Sequence, residues 1–171
     1  MITLDGCRTM ARYNAWQNDN LYGAASMLDD AARRASRGAF FGSIHATLNH
    51  ILWADRMWLS RFGRCEAPGG GIAGSVSLVA EWEGLCAARR EMDALMVDWA
   101  DALAPEDLAG DLVWYSGATG REMNRPRALC VLHMFNHQAH HRGQVHAMLT
   151  AAGAVPGPTD LVFAPGEVVG A

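Results

Sequence analysis

The chain has 171 residues, half of them hydrophobic and about a fifth charged, with a formal net charge of −4. That is the composition of one ordinary folded domain. No run of basic residues appears, so a nucleic-acid partner is not expected. The opening MITLDGCRTMAR lacks the apolar core of a secretory signal, and no stretch is apolar over the roughly 18 residues that a membrane span needs. A cytoplasmic protein with no membrane partner is the expectation. Cys7, Cys65, Cys86 and Cys130 are scattered, with no C-x-x-C pair, and read as buried free thiols. Cys130 reads as core filling.

A first helix is expected from about Asp5 to Leu28, with Met10, Tyr13, Trp16, Leu21 and Met27 as a mixed apolar pattern. Asp29-Asp30 and Ser36-Arg37-Gly38 mark the connection that follows. The second helix starts near Gly42 or Ser43 and runs to Phe62, with Ile44, Leu48, Ile51, Leu52, Trp58 and Leu59 at helical spacing. His50 sits in its middle, among bulky apolar residues. His45 sits in its first turn, where solvent exposure is expected. GRCEAPGGGIAG then reads as a flexible linker, because it lacks the G-K-[ST] ending of a phosphate-binding loop.

Ser75, or else Ser77, is the expected cap of a third helix that runs to about Leu103 through Trp82, Leu85, Met92, Met96 and Trp99. Pro105 ends it or opens a short turn. In 111–125, DLVWYSGATGREMNR, the β-prone Leu112 to Tyr115 and the SGATG turn signal predict a short hairpin. Either it walls a pocket at one end of the molecule or it lies on the surface. Pro126 and Gly153 frame a last helix of about seven turns. The tail from 154 to 171 is expected to be irregular, partly packed through Leu161 to Phe163, with its last few residues disordered.

The last helix carries LHMFNHQAHHRGQVHAM, which holds five of the seven histidines: His133, His137, His140, His141 and His146. Residues four apart share a helix face. His133 with His137, or His137 with His141, can therefore hold one metal ion between them. All three cannot, because His133 and His141 are separated by a rise of roughly 12 Å. Met134, Phe135, Val145 and Leu149 imply that much of this helix is buried, and buried imidazoles need polar partners. A further ligand must come from another helix, where His50 is better placed than His45.

Four long helices predict an all-α fold, a four-helix bundle with a short β-hairpin or irregular excursion between the third and fourth helices, where metal sites form from facing side chains. Gln138 stands where zinc proteases of the H-E-x-x-H type carry their glutamate base, and an amide cannot take up a proton. Peptide hydrolysis is therefore not expected. Nor is a two-metal carboxylate site, since no E-x-x-H pair appears in two helices. His133 and Gln144 read as pocket-lining or ligand-orienting residues, and His140 and Asn136 as either. Arg142 and Asp55 read as a buried pair joining the last helix to the second. Gly143 reads as a point of close helix approach, and Trp53, Met57 and Trp58 as core.

The second-helix histidine in LNHILWADRMWL and NHQAHHRGQ in the last helix together resemble the DinB (DinB/YfiT-like) family of metalloenzymes. YNAWQNDNLY in the first helix and the order of elements over the whole chain add support. The resemblance implies that His50, His137 and His141 are the metal ligands. The all-nitrogen donor set suits one divalent transition metal per chain, zinc or nickel first, with iron, cobalt, manganese and copper open. The resemblance also implies a homodimer. By resemblance the reaction is activation of a nucleophile, a low-molecular-weight thiol in S-transfer or thiol-dependent isomerisation. A hydrolase using metal-activated water and a non-catalytic, stress-associated metal- or ligand-binding protein are the alternatives.

Overall fold

The computed structural model describes residues 1–169. In chain order it forms α1 (Leu4–Ser26), α2 (Asp30–Arg34), α3 (Ile44–Arg61), α4 (Gly71–Gly74), α5 (Trp82–Asp101), the strands β1 (Asp111–Ser116) and β2 (Arg121–Pro126), α6 (Arg127–Ala151) and α7 (Gly166–Val169). The four long helices α1, α3, α5 and α6 make the expected bundle. Each of α1 and α3 packs against both α5 and α6, so α1 and α3 lie diagonally opposite. None of the described helices is long and apolar enough to cross a membrane.

Local chemistry sets most of the helix starts. Thr3, Asp29 and Ser43 each accept a hydrogen bond from the backbone N–H three residues on, at Gly6, Ala32 and Ala46, which satisfies one of the orphan donors of a first turn. Pro126 precedes α6. Gly153, at φ +80°, supplies the left-handed residue just past its end. The hairpin pairs antiparallel with Trp114 opposite Met123, and Gly120 at φ +66° closes its turn.

Several sequence expectations need correction. Ser75 does not cap the third long helix, which begins at Trp82. Its hydroxyl is taken elsewhere, bonded to the Ile72 carbonyl and to His50, and Ser77 donates to the Gly74 carbonyl. The segment is pinned instead by Asn49 Oδ1, which accepts from the Val79 N–H at 2.7 Å. Pro105 opens a short 3-10 turn over Pro105–Leu108. His45 is buried rather than exposed, and its ring accepts from Asn49. No atom stands close to where a Cβ on Gly143 would be, so it marks no tight helix approach.

The tail is more ordered than expected. It carries α7, which packs on α1 and buries Val168, while Val162 and Phe163 are 82% and 77% exposed. Hydrogen bonds from Tyr13 to the Thr159 carbonyl and from Gln17 to the Pro158 carbonyl hold it down. The expected disorder at the very end concerns residues 170–171, which lie outside the described residues.

Beneath the apolar core runs a polar network that spans all four long helices. Arg89 on α5 pairs with Asp55 on α3 at 2.7 Å and with Asp93 at 2.9 Å. Asn18 of α1 donates to Asp93, and Gln138 of α6 donates to the second oxygen of Asp55 at 2.7 Å. Arg142 does not pair with Asp55 as the sequence suggested. Gln138, one turn earlier on the same face, occupies that carboxylate, and Arg142 donates to Asn14 Oδ1 on α1. Burial alone would drive the Arg89 pKa down, but Asp93 and Asp55 raise it above the ordinary arginine value. Removing one partner of such a buried pair leaves the other charge unmatched, at a cost of about 3–5 kcal/mol. Arg89→Met should lower unfolding stability by that amount in urea denaturation, and a loss under about 1 kcal/mol would show that the network is not a stability element.

Candidate metal centre

Helix α6 lies against α3 so that His133 meets Trp58, with ring centroids 5.2 Å apart, while His137 and His141 both meet His50. Residue numbers rise along one helix as they fall along the other, so the two run antiparallel. The contact gathers three imidazoles. His50, His137 and His141 each offer a ring nitrogen, and these atoms lie within 4.8 Å of one another. His50 and His141 are buried and His137 partly so.

The hydrogen bonds behind the cluster determine which nitrogen His50 and His141 present. Ser75 Oγ lies 2.6 Å from the Ile72 carbonyl, which can only accept, so the hydroxyl proton points there. Its oxygen must then accept from His50 Nδ1, 2.8 Å away. That places the His50 proton on Nδ1 and leaves the Nε2 lone pair bare. Similarly, His141 Nδ1 donates to Gln144 Oε1 at 2.9 Å, which bares its Nε2. Partners of this kind behind an imidazole are what orient metal-binding histidines.

The spacing also fits an ion. His50 Nε2 and His137 Nε2 are 3.3 Å apart. Two nitrogens each about 2.0–2.1 Å from one tetrahedral ion stand roughly 3.3 Å from each other. Burial, and then the neighbouring His141, lowers the His50 pKa to about 4. Burial, followed by His141, His50 and the other nearby histidines, lowers His137 to about 3. Both rings are therefore neutral near pH 7, the form that ligates. Such a cluster can hold one metal ion, and its all-nitrogen donor set matches a divalent transition metal.

Beside the cluster opens a pocket of about 810 Å³, whose wall includes His50, His137, Trp53, Met57, Trp58 and Trp114. The hairpin supplies one side of it, which decides between the two placements that the sequence left open. Trp53, Met57 and Trp58 face this space, whereas the sequence suggested plain core. His133 lines it. Gln144 braces His141 and also bonds His140, which is exposed and outside the pocket wall. Gln138 points away into the polar network. Cys130 is buried in the core and does not reach the pocket.

Two contributors escaped the sequence reading. Ser75 looked like a helix cap, and only the fold brings it 25 positions back to His50. Phe41 packs on the His50 ring at a centroid distance of 3.9 Å and on His141 at 5.3 Å, covering the cluster from the connection before α3.

Replacing Ser75 with alanine should weaken metal affinity about 10–100-fold in a competition titration against a zinc chelator; unchanged affinity would show that the hydroxyl does not orient His50. A second expectation concerns acid. Without metal, the folded pKa values of His50 and His137 lie below the value of about 6.5 for an unfolded histidine. As pH falls, the unfolded chain takes up these protons first. The stability these rings allow is thus complete above about pH 6.5 and is lost from there towards about pH 4 and below. The urea midpoint of the metal-free protein should fall between about pH 7.5 and about pH 5, and should fall less in His137→Gln.

The DinB family model matches residues 1–167. Protein DinB of Bacillus subtilis (strain 168) is 23% identical over 154 residues, which cover 86% of this chain and 87% of that protein. The crystal structure of a DinB-like protein from Bacillus cereus ATCC 10987 superposes with a TM-score of 0.62 at 19% identity, covering 85% of this chain and 90% of that one. The structural likeness concerns the fold. The family match runs through every element that builds the histidine cluster, and by it this chain belongs to the DinB family.

Proposed function

We propose that this chain is a metal-dependent enzyme in which His50, His137 and His141 hold one divalent ion, zinc or nickel in the first instance, beside a small-molecule pocket. The observation that carries this reading is the convergence of three imidazole nitrogens within 4.8 Å of one another beside an open pocket that reaches His50 and His137. A structural zinc site is normally closed by four protein ligands, whereas a catalytic one keeps a position free. When bound, the ion would supply Lewis acidity that lowers the pKa of a nucleophile placed in the pocket.

A low-molecular-weight thiol suits this wall better than water does. A free thiol has a pKa of about 8.5, against 15.7 for bulk water, so it needs far less help to lose its proton. Among the described residues, the wall contains no cysteine of its own. The sulfur must therefore arrive with the ligand. His133 lines the pocket, and burial, followed by Arg61, lowers its pKa. In this reading a neutral His133 ring would accept the thiol proton, with Trp53 and Trp58 supplying apolar surface beside the sulfur. The homodimer and the cytoplasmic setting implied by family resemblance belong to the same proposal, and sedimentation velocity reads out the first.

Metal content measured by ICP-MS on tag-free protein should approach one transition-metal ion per chain, and His50→Ala and His137→Ala should each lose it. The loaded protein should then transfer a small thiol to an electrophile, with activity abolished in His137→Ala. Metal bound without any thiol- or water-dependent reaction would favour the non-catalytic binding protein. Full activity in His137→Ala would end the metalloenzyme reading.

A further inference from the structure

Arg61 stands apart from every comparable arginine of this chain. Arg8, Arg12, Arg33, Arg37, Arg56, Arg89, Arg127 and Arg142, all at least partly buried, donate to a protein oxygen. Arg61 is also partly buried, yet among the described residues it has neither an ion-pair partner nor a hydrogen-bond acceptor. Its guanidinium lies over the Trp58 ring at 4.5 Å and over the Trp114 ring at 5.3 Å. The two indoles hold the plane of the cation and leave its N–H edge without an acceptor.

That cation lines the same pocket as His50 and His137, and no acidic residue lines the pocket with it. The chain has 18 acidic residues, so the exclusion leaves a site whose only formal charge is positive. Its N–H groups are not among the buried unpartnered ones, so they open to the pocket and are free to meet the oxygens of a ligand that brings the counter-charge. Position gives the ligand its shape. Arg61 is eleven residues beyond His50, about three turns, on the same face of α3 and about 16 Å further along the axis. Side chains lean towards the helix N-terminus, which brings the guanidinium back towards the histidines.

We propose that Arg61, clamped by Trp58 and Trp114, is the specificity determinant of this pocket, and that its ligand is an elongated small molecule with a carboxylate at the end remote from the histidine cluster. A carboxylate matches the planar N–H fork of arginine in a bidentate pair. The trio and Arg61 then act as two ends of one site, with a largely aromatic wall and His133 between them. The inference deepens the proposed function by naming the substrate class, and as a specificity claim it rests on that reading.

Octanoate and octanamide make a matched pair of probes that carry no thiol. Their binding can be followed in metal-free protein by tryptophan fluorescence, since two indoles flank the cation. Octanoate should bind at least about ten-fold more tightly than octanamide, the usual worth of a charge-assisted hydrogen bond. Arg61→Met keeps the apolar stem and should abolish the difference, while Arg61→Lys should retain part of it. The preference should persist in His137→Ala, so loss of the metal reading and loss of this one are separately visible. Inorganic phosphate at equal concentration should not displace octanoate. Equal affinities for the two probes, absence of octanoate binding, a preference that survives Arg61→Met, or displacement by phosphate would each overturn the assignment.

Discussion

The contact between Asp55 and Gln138 sets the register on which the candidate site depends. Asp55 lies five residues after His50 on α3, and Gln138 lies next to His137 on α6, so their hydrogen bond fixes how far one helix slides along the other. Arg89 holds the other oxygen of Asp55 and through Asp93 reaches Asn18, which ties α1 and α5 to the same point. A slide of one helical turn, about 5.4 Å, would carry His137 beyond the reach of His50. Apolar packing alone tolerates such shifts, because aliphatic side chains of similar size can exchange places. A buried charge does not, since moving it strands both itself and its partner.

Above that network the bundle wall changes character. Neutral imidazoles on a buried helix face would ordinarily cost stability, and here two of the three rings are oriented by partners behind them. Ser75 and Gln144 hold the outer nitrogens of His50 and His141, Phe41 covers their faces, and the inner nitrogens converge. The pocket that opens beside them is shaped by the hairpin, which has few apolar residues of its own to bury and uses Trp114 to complete an aromatic wall. Site and pocket thus depend on different parts of the chain, the first on the long helices and the second on the excursion between them.

Much of this was legible in the sequence because it depends on local periodicity. The helical spacing of apolar residues in 44–61 and 127–151, the helix starts near Ser43 and Pro126, the SGATG turn and the His137/His141 pair are all properties of neighbouring residues. The partner of that pair was not. Spacing favoured His50 over His45 for being central to its helix, and family resemblance supplied the rest. His45 looked exposed because it opens a helix, but the segment 75–82 folds across it and buries it.

What the sequence determined by itself was therefore the set of elements and the candidate donors, since 3.6-residue periodicity, capping and turn chemistry act over a few residues. What only the tertiary structure decided was who meets whom. Arg142 bonds Asn14 rather than Asp55, Ser75 serves His50 rather than a helix end, and Gln138 turns into the core rather than towards the histidines. Arg61 showed nothing in the sequence to distinguish it from other surface arginines. Each of these depends on the relative placement of helices far apart in the chain, where burial and charge matching, and no local rule, select among partners that look equivalent in one dimension.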